Sequence, residues 1–117
     1  MVKVRLKKAV PPEVQKGPGR WLQPGNNYTV LAIESGGRGR PEYRIATEIQ
    51  GTPALFDARL FDIVDARLPS NWIATAHGEH LEFQPAAWTT AGFWERFFDG
   101  DEDARRIYHE EIEKIGE

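Results

Sequence analysis

The chain has 117 residues, 40% hydrophobic and 28% charged, which suits one domain with a single core. It has no cysteine, so disulfides, thiolate metal sites and cysteine nucleophiles are excluded. The net charge of −3 is unevenly spread: residues 1–50 hold nine Lys/Arg against four Asp/Glu, residues 51–117 six against fourteen. Such halves are expected to neutralise each other on folding, unless one of them meets phosphates or a basic partner.

VKVRLK (2–7) alternates Val2, Val4 and Leu6 with Lys3, Arg5 and Lys7, which predicts a strand. It has no long apolar run, so neither a signal peptide nor a membrane span is expected, and a cytoplasmic location is. The proline- and glycine-rich stretch 11–20 reads as a loop, and the chain should turn again at Gln23-Pro24-Gly25-Asn26-Asn27. YTVLAIE (28–34) is apolar on both faces, as in a strand covered on both sides. GGRGR (36–40) predicts a turn. PEYRIATEI (41–49) alternates as a half-buried strand, and Gln50-Gly51-Thr52 turns the chain once more. ALF (54–56) and DIVD (62–65) are short strands around a single helical turn in DARLF (57–61). Strands at this spacing predict a mainly β, antiparallel small barrel or sandwich.

Pro69-Ser70-Asn71 predicts a turn leading into a hairpin over 72–84 with Gly78-Glu79 at its tip. In that register Ala76 faces Leu81 and Ala74 faces Phe83. Trp72 lies on the same face and is expected to pack rather than bind ligand. The opposite face carries Ile73, Thr75, His77, His80, Glu82 and Gln84. Two helices are predicted over 90–115. Thr90 would cap the first, through Phe93, Trp94, Phe97 and Phe98, with Gly100 ending it. Asp101 would cap the second, whose apolar stripe is Ala104, Ile107, Tyr108, Ile112 and Ile115.

Chemical motifs are sparse. His77 and His80 are only two imidazoles where zinc sites use three or four protein ligands. Asp57, Asp62 and Asp65 fall in a turn and a strand end, and neither a nucleophile elbow nor a phosphate-binding loop occurs. No enzyme activity, metal or cofactor is expected. Lys3, Arg5, Lys7, Arg38, Arg40 and Arg44 could form a basic stripe for single-stranded nucleic acid. The overall pI near 5.6 argues against that footprint. Trp21 and Trp88 lie beside predicted loops and could anchor a protein partner.

LQPGNNYTVLAIE, PEYRIATEIQGTPALFDARLFDIVD and the segment order they imply resemble an SH3-like barrel. In such barrels the chain closes after the distal turn through a short strand, one helical turn and a last strand. That closing segment matches residues 54–64, so LPSNW (68–72) falls one step beyond it. The Ala-Leu-Tyr-Asp-Tyr opening and the paired tryptophans of peptide-binding SH3 domains are missing. PALFDARLFDIVD, LPSNW and GFWERFFDGD, in that order, are also similar to small bacterial proteins, some regarded as immunity proteins. That resemblance implies a role in binding and blocking a cognate toxin, with Glu110, Glu111 and Glu113 of the acidic last helix as contacts for a basic surface. The expectation is therefore one domain over 1–117, with a barrel core over about 21–65, the hairpin over 72–84 and helices over 90–115. It would serve as a non-enzymatic protein-binding module, the alternative being a nucleic-acid-binding barrel.

Overall fold

The alternation that opens the chain becomes strand β1 (Val2–Leu6), with Val2, Val4 and Leu6 buried and Lys3 and Arg5 exposed. The structure, a computed structural model, describes residues 1–8, 22–35, 40–48 and 50–115. The predicted loop at 11–20, most of the GGRGR turn, Trp21, Arg38 and Ile49 lie outside the described residues.

Six further strands follow: β2 (Asn27–Ser35), β3 (Pro41–Ala46), β4 (Pro53–Asp57), β5 (Phe61–Ala66), β6 (Trp72–His77) and β7 (His80–Pro85). One 3-10 turn, Ala58–Leu60, separates β4 from β5, where DARLF predicts a helical turn. The predicted strand through residue 49 stops at Ala46, because the Thr47 N–H already donates to Thr52 O at 2.9 Å as the chain enters its turn. Gln50 and Gly51 there take φ of 56° and 69°, in the left-handed region that suits glycine at Gly51.

All pairings are antiparallel, in the order β4-β3-β2-β1-β5. The sheet branches at β2. Its first residues, Asn27 to Thr29, pair with β1. Farther along, Ile33 and Glu34 pair with Phe83 and Glu82 of β7. The hairpin β6–β7 thus extends the sheet on the stretch of β2 edge that β1 leaves free, and the sheet does not close. Its register is the predicted one, with Trp72 opposite Pro85, Ala74 opposite Phe83 and Ala76 opposite Leu81.

The strand that reads as apolar on both faces, β2, separates two cores. Val30, Tyr43, Ile45, Phe56 and Phe61 pack with the β1 side chains on one side. Leu31 joins Trp88, Phe93, Phe97, Ala104, Tyr108 and Ile115 on the other. Pairing with β3 shifts register between Val30 and Ala32, and the residue inside that bulge, Leu31, packs under the helices. Trp72 is half-buried and touches both cores, in keeping with a packing role.

Helices α1 (Phe93–Phe98) and α2 (Glu102–Ile115) cover the second core. Capping of α2 follows the expectation, since the Ala104 N–H donates to Asp101 Oδ2 at 3.2 Å. Capping of α1 does not. Its N-cap is Gly92, at φ 77°, and the Thr90 carbonyl instead accepts from the Phe93 N–H in the preceding turn.

Candidate functional site

The cross-strand register assembles one feature that no local stretch of sequence contains. Glu42 of β3 stands opposite Glu34 of β2, and Glu34 stands opposite Glu82 of β7. Asp57 of β4 continues the line opposite Glu42, and Thr75 of β6 ends it opposite Glu82. Residues paired across an antiparallel sheet share a face, so four carboxylates line up one strand spacing apart, about 4.8 Å each. Like charges placed directly opposite each other destabilise a sheet. This row therefore lowers the stability of the folded chain unless something compensates it.

Compensation is partial. At the Asp57 end, Arg59 forms a forked ion pair at 2.8 Å, which with Arg40 nearby holds the Asp57 carboxyl below its usual range. Beside Glu34, two residues along β3 from Glu42, lies Arg44. Its guanidinium is 3.6 Å from Glu34 and stacks 3.9 Å from the ring centre of Trp94 in α1. Arg44 is only 6% exposed, and its Nε has no hydrogen-bond partner. Among the described residues neither Glu42 nor Glu82 has a cation in ion-pair contact. Among the described residues Glu82 Oε2 accepts from the Gln84 side-chain amide, at 3.1 Å.

Gln84 itself is 3% exposed, and its Oε1 is buried without a partner, as is Thr75 Oγ1. The Glu34 carboxyl is raised above its ordinary 4.5, first by burial and then by Glu82 and Glu42, while Arg44 opposes the shift. Three glutamates, a buried arginine and a buried glutamine thus form one electrostatic unit. Among the described residues no three His, Cys, Asp or Glu side chains converge as ligands for a metal ion. The carboxylates are spaced strand by strand rather than gathered on a point.

A concavity of about 500 Å³ lies between α2 and the start of β2, away from the acidic row. Leu31, Ala46, Tyr108, Ile112 and Ile115 give it apolar walls, and His109 is among its lining residues. Burial pushes the Tyr108 hydroxyl up to about 12.

The residues singled out from sequence fare unevenly. Trp88 is 1% exposed and stacks on Phe93 and Tyr108, so the ring is an internal plug with no face left for a partner. Glu110 and Glu113 are exposed, whereas Glu111 is 8% exposed and turned toward the interior, paired with Lys114 at 2.9 Å. Trp21 lies outside the described residues. Of the basic stripe, Lys3, Arg5 and Arg40 are exposed, Lys7 is half-buried and Arg38 lies outside the described residues. Arg44 leaves the stripe altogether, since α1 covers it. Lys3 faces Asp65 and Arg5 faces Asp62 across β1–β5, so the basic strand sits against an acidic one. No described helix is long and apolar enough to cross a membrane.

No family model, curated protein or solved structure matches the chain.

Proposed function

We propose that the chain is a non-enzymatic protein-binding module that docks a basic partner, built on an SH3-like barrel to which the β6–β7 hairpin and two helices are added. The strand order β4-β3-β2-β1-β5, with one 3-10 turn between β4 and β5, supports the barrel reading. The observation that carries the function is the row of like charges at Glu42, Glu34 and Glu82. Folding holds it against its own repulsion, and a cationic surface is what would relieve it. Exposed Glu113 on α2 adds negative charge, while Glu110 is offset by Arg106 at 2.9 Å. A toxin blocked by this protein, as an immunity protein would block it, is one partner of that chemistry, because enzymes that act on nucleic acids present basic surfaces.

Zero-length carbodiimide cross-linking in the native cell, followed by mass spectrometry, tests the reading. The expected product joins lysines of one basic protein to these carboxylates. The nucleic-acid alternative would use Lys3, Arg5, Lys7, Arg38 and Arg40, with Lys3 and Arg5 opposed by aspartates. Steeply salt-dependent binding of single-stranded DNA or RNA, with no protein cross-link, would overturn the proposal.

A further inference from the structure

We infer that β6 pairs edge to edge with β6 of a second copy of this chain, antiparallel and about a two-fold axis through Thr75. The inference goes beyond the basic-partner reading and does not depend on it. A strand at the border of a sheet presents unpaired N–H and C=O groups, and folded chains keep such borders from pairing with charge, proline or a bulge. Among the described residues the sheet has three border strands, β4, β5 and β6. β4 begins at Pro53 and ends at Asp57. β5 carries Asp62 and Asp65, and its pairing with β1 shifts register between Lys3 and Val4. β6 has none of these devices. Its sequence, WIATAH, contains no proline and no Asp, Glu, Lys or Arg, and it pairs with β7 in unbroken register from Trp72 to His77. Trp, Ile and Thr favour strands, and Ile73, Ala74, Ala76 and His77 are all exposed.

The hairpin turn fixes which backbone groups are free. Gly78, at φ 60°, and Glu79 form a two-residue turn between the paired His77 and His80. Residues flanking such a turn exchange hydrogen bonds, and the alternation of an antiparallel ladder then points Ile73, Thr75 and His77 at β7. The N–H and C=O groups of Ala74 and Ala76 point outward. Among the described residues neither alanine has a backbone partner outside the hairpin. Symmetry is the second observation, and it selects the occupant. Ala74-Thr75-Ala76 reads the same in both directions. A two-fold axis at Thr75 sets Ala74 opposite Ala76 of the second copy, and each such alanine pair exchanges both N–H···O bonds. Thr75 then meets its own counterpart as a close, non-hydrogen-bonded pair, an arrangement that favours threonine. Charge does not oppose the contact. Glu82, opposite Thr75 in each copy, stands three strand spacings from its counterpart. That is about 14 Å, beyond the Debye length of about 8 Å at physiological salt.

Because the chain has no cysteine, a single one reports its neighbours. Under mild oxidation Thr75→Cys is expected to form a disulfide-linked dimer at least about tenfold faster than Glu113→Cys. The non-hydrogen-bonded pair at the axis brings the Cα atoms to about 4.5 Å, within the span of a disulfide. In the parent chain, sedimentation equilibrium should show a monomer–dimer equilibrium with a Kd on the order of 0.1 mM, the transient range for a contact one strand long. Raising the concentration should slow hydrogen exchange at the Ala74 and Ala76 amides. Ala76→Lys should weaken association at least about tenfold. Ala74→Pro, which removes only an outward N–H, should do the same with the hairpin intact. A parent chain that stays monomeric at millimolar concentration, or a Thr75→Cys chain that cross-links no faster than Glu113→Cys, would overturn the pairing. So would association that survives both Ala76→Lys and Ala74→Pro, or protection of these amides by the strand of a different protein. None of these results bears on the basic-partner reading, which the carbodiimide cross-links test separately.

Discussion

The two flanks of β2 treat charge in opposite ways. On the β1–β5 side, Lys3 stands opposite Asp65 and Arg5 opposite Asp62 in register, so unlike charges alternate there, although Arg5 donates to Asn27 and Asp65 pairs with Arg67. On the β3–β2–β7 side, Glu42, Glu34 and Glu82 face one another. The same sheet contains both solutions, so the acidic row is not a by-product of an acidic composition. The β3–β2–β7 flank leaves negative charge concentrated at one place, beside the covered arginine.

Removing that arginine gives the largest expected effect. Arg44→Leu deletes the ion pair and the stacking on Trp94, and it leaves Glu34 half-buried with two acidic neighbours. A loss of about 3 kcal/mol is expected in urea unfolding, at the lower end for broken buried pairs because Glu34 retains some exposure. Adding Glu34→Gln should restore about 1–2 kcal/mol of it. If Arg44→Leu is as stable as the parent within about 0.5 kcal/mol, the arginine is not what holds the row together.

These contrasts also mark what sequence could reveal. Alternation in VKVRL and YRIA, the turns at Gly25, Gly51 and Gly78 and the Asp101 cap are local signals, and each element they predict is present. The tip at Gly78-Glu79 sets the hairpin register by itself. It puts Glu82 and Gln84 on one face, which by polarity alone reads as solvent. What the hairpin cannot disclose is where it docks. Only its pairing with the free end of β2 buries Gln84 and lines Glu82 up with Glu34. Arg44 has the same explanation, because a polar position on an alternating strand reads as exposed until α1, fifty residues later in sequence by its first residues, lies across it. Trp88, three residues after the strand-ending Pro85 and beside a predicted loop, gives no local sign of the core it fills.

The comparison sharpens further when the same kind of substitution is made on both flanks. Asp62→Lys turns an opposed pair with Arg5 into a repulsive one and should cost about 0.5–1 kcal/mol. Glu42→Lys interrupts the acidic row and should gain a similar amount. Thermal midpoints are then expected to move about 3 °C in opposite directions, and both shifts should shrink in molar salt. Shifts of the same sign would mean that backbone or packing effects of lysine outweigh the cross-strand charges.

The smallest effect is a pH dependence with a definite sign. Glu34 has its folded-state carboxyl raised above the ordinary 4.5, so the native state holds that proton more tightly than the unfolded chain does. Its favourable contribution is complete below the ordinary value and is lost as pH rises through the raised one. Groups facing it set the size: Glu42 from β3 and Glu82 from β7 push upward and Arg44 from β3 pulls down. Asp57, lowered by Arg59, runs the other way, contributing above its ordinary value and losing that contribution in stronger acid. The stability of the parent minus that of Glu34→Gln should therefore fall as pH is raised from about 4 to 7. A difference that rises with pH would mean that Arg44 outweighs burial and both neighbouring glutamates at Glu34.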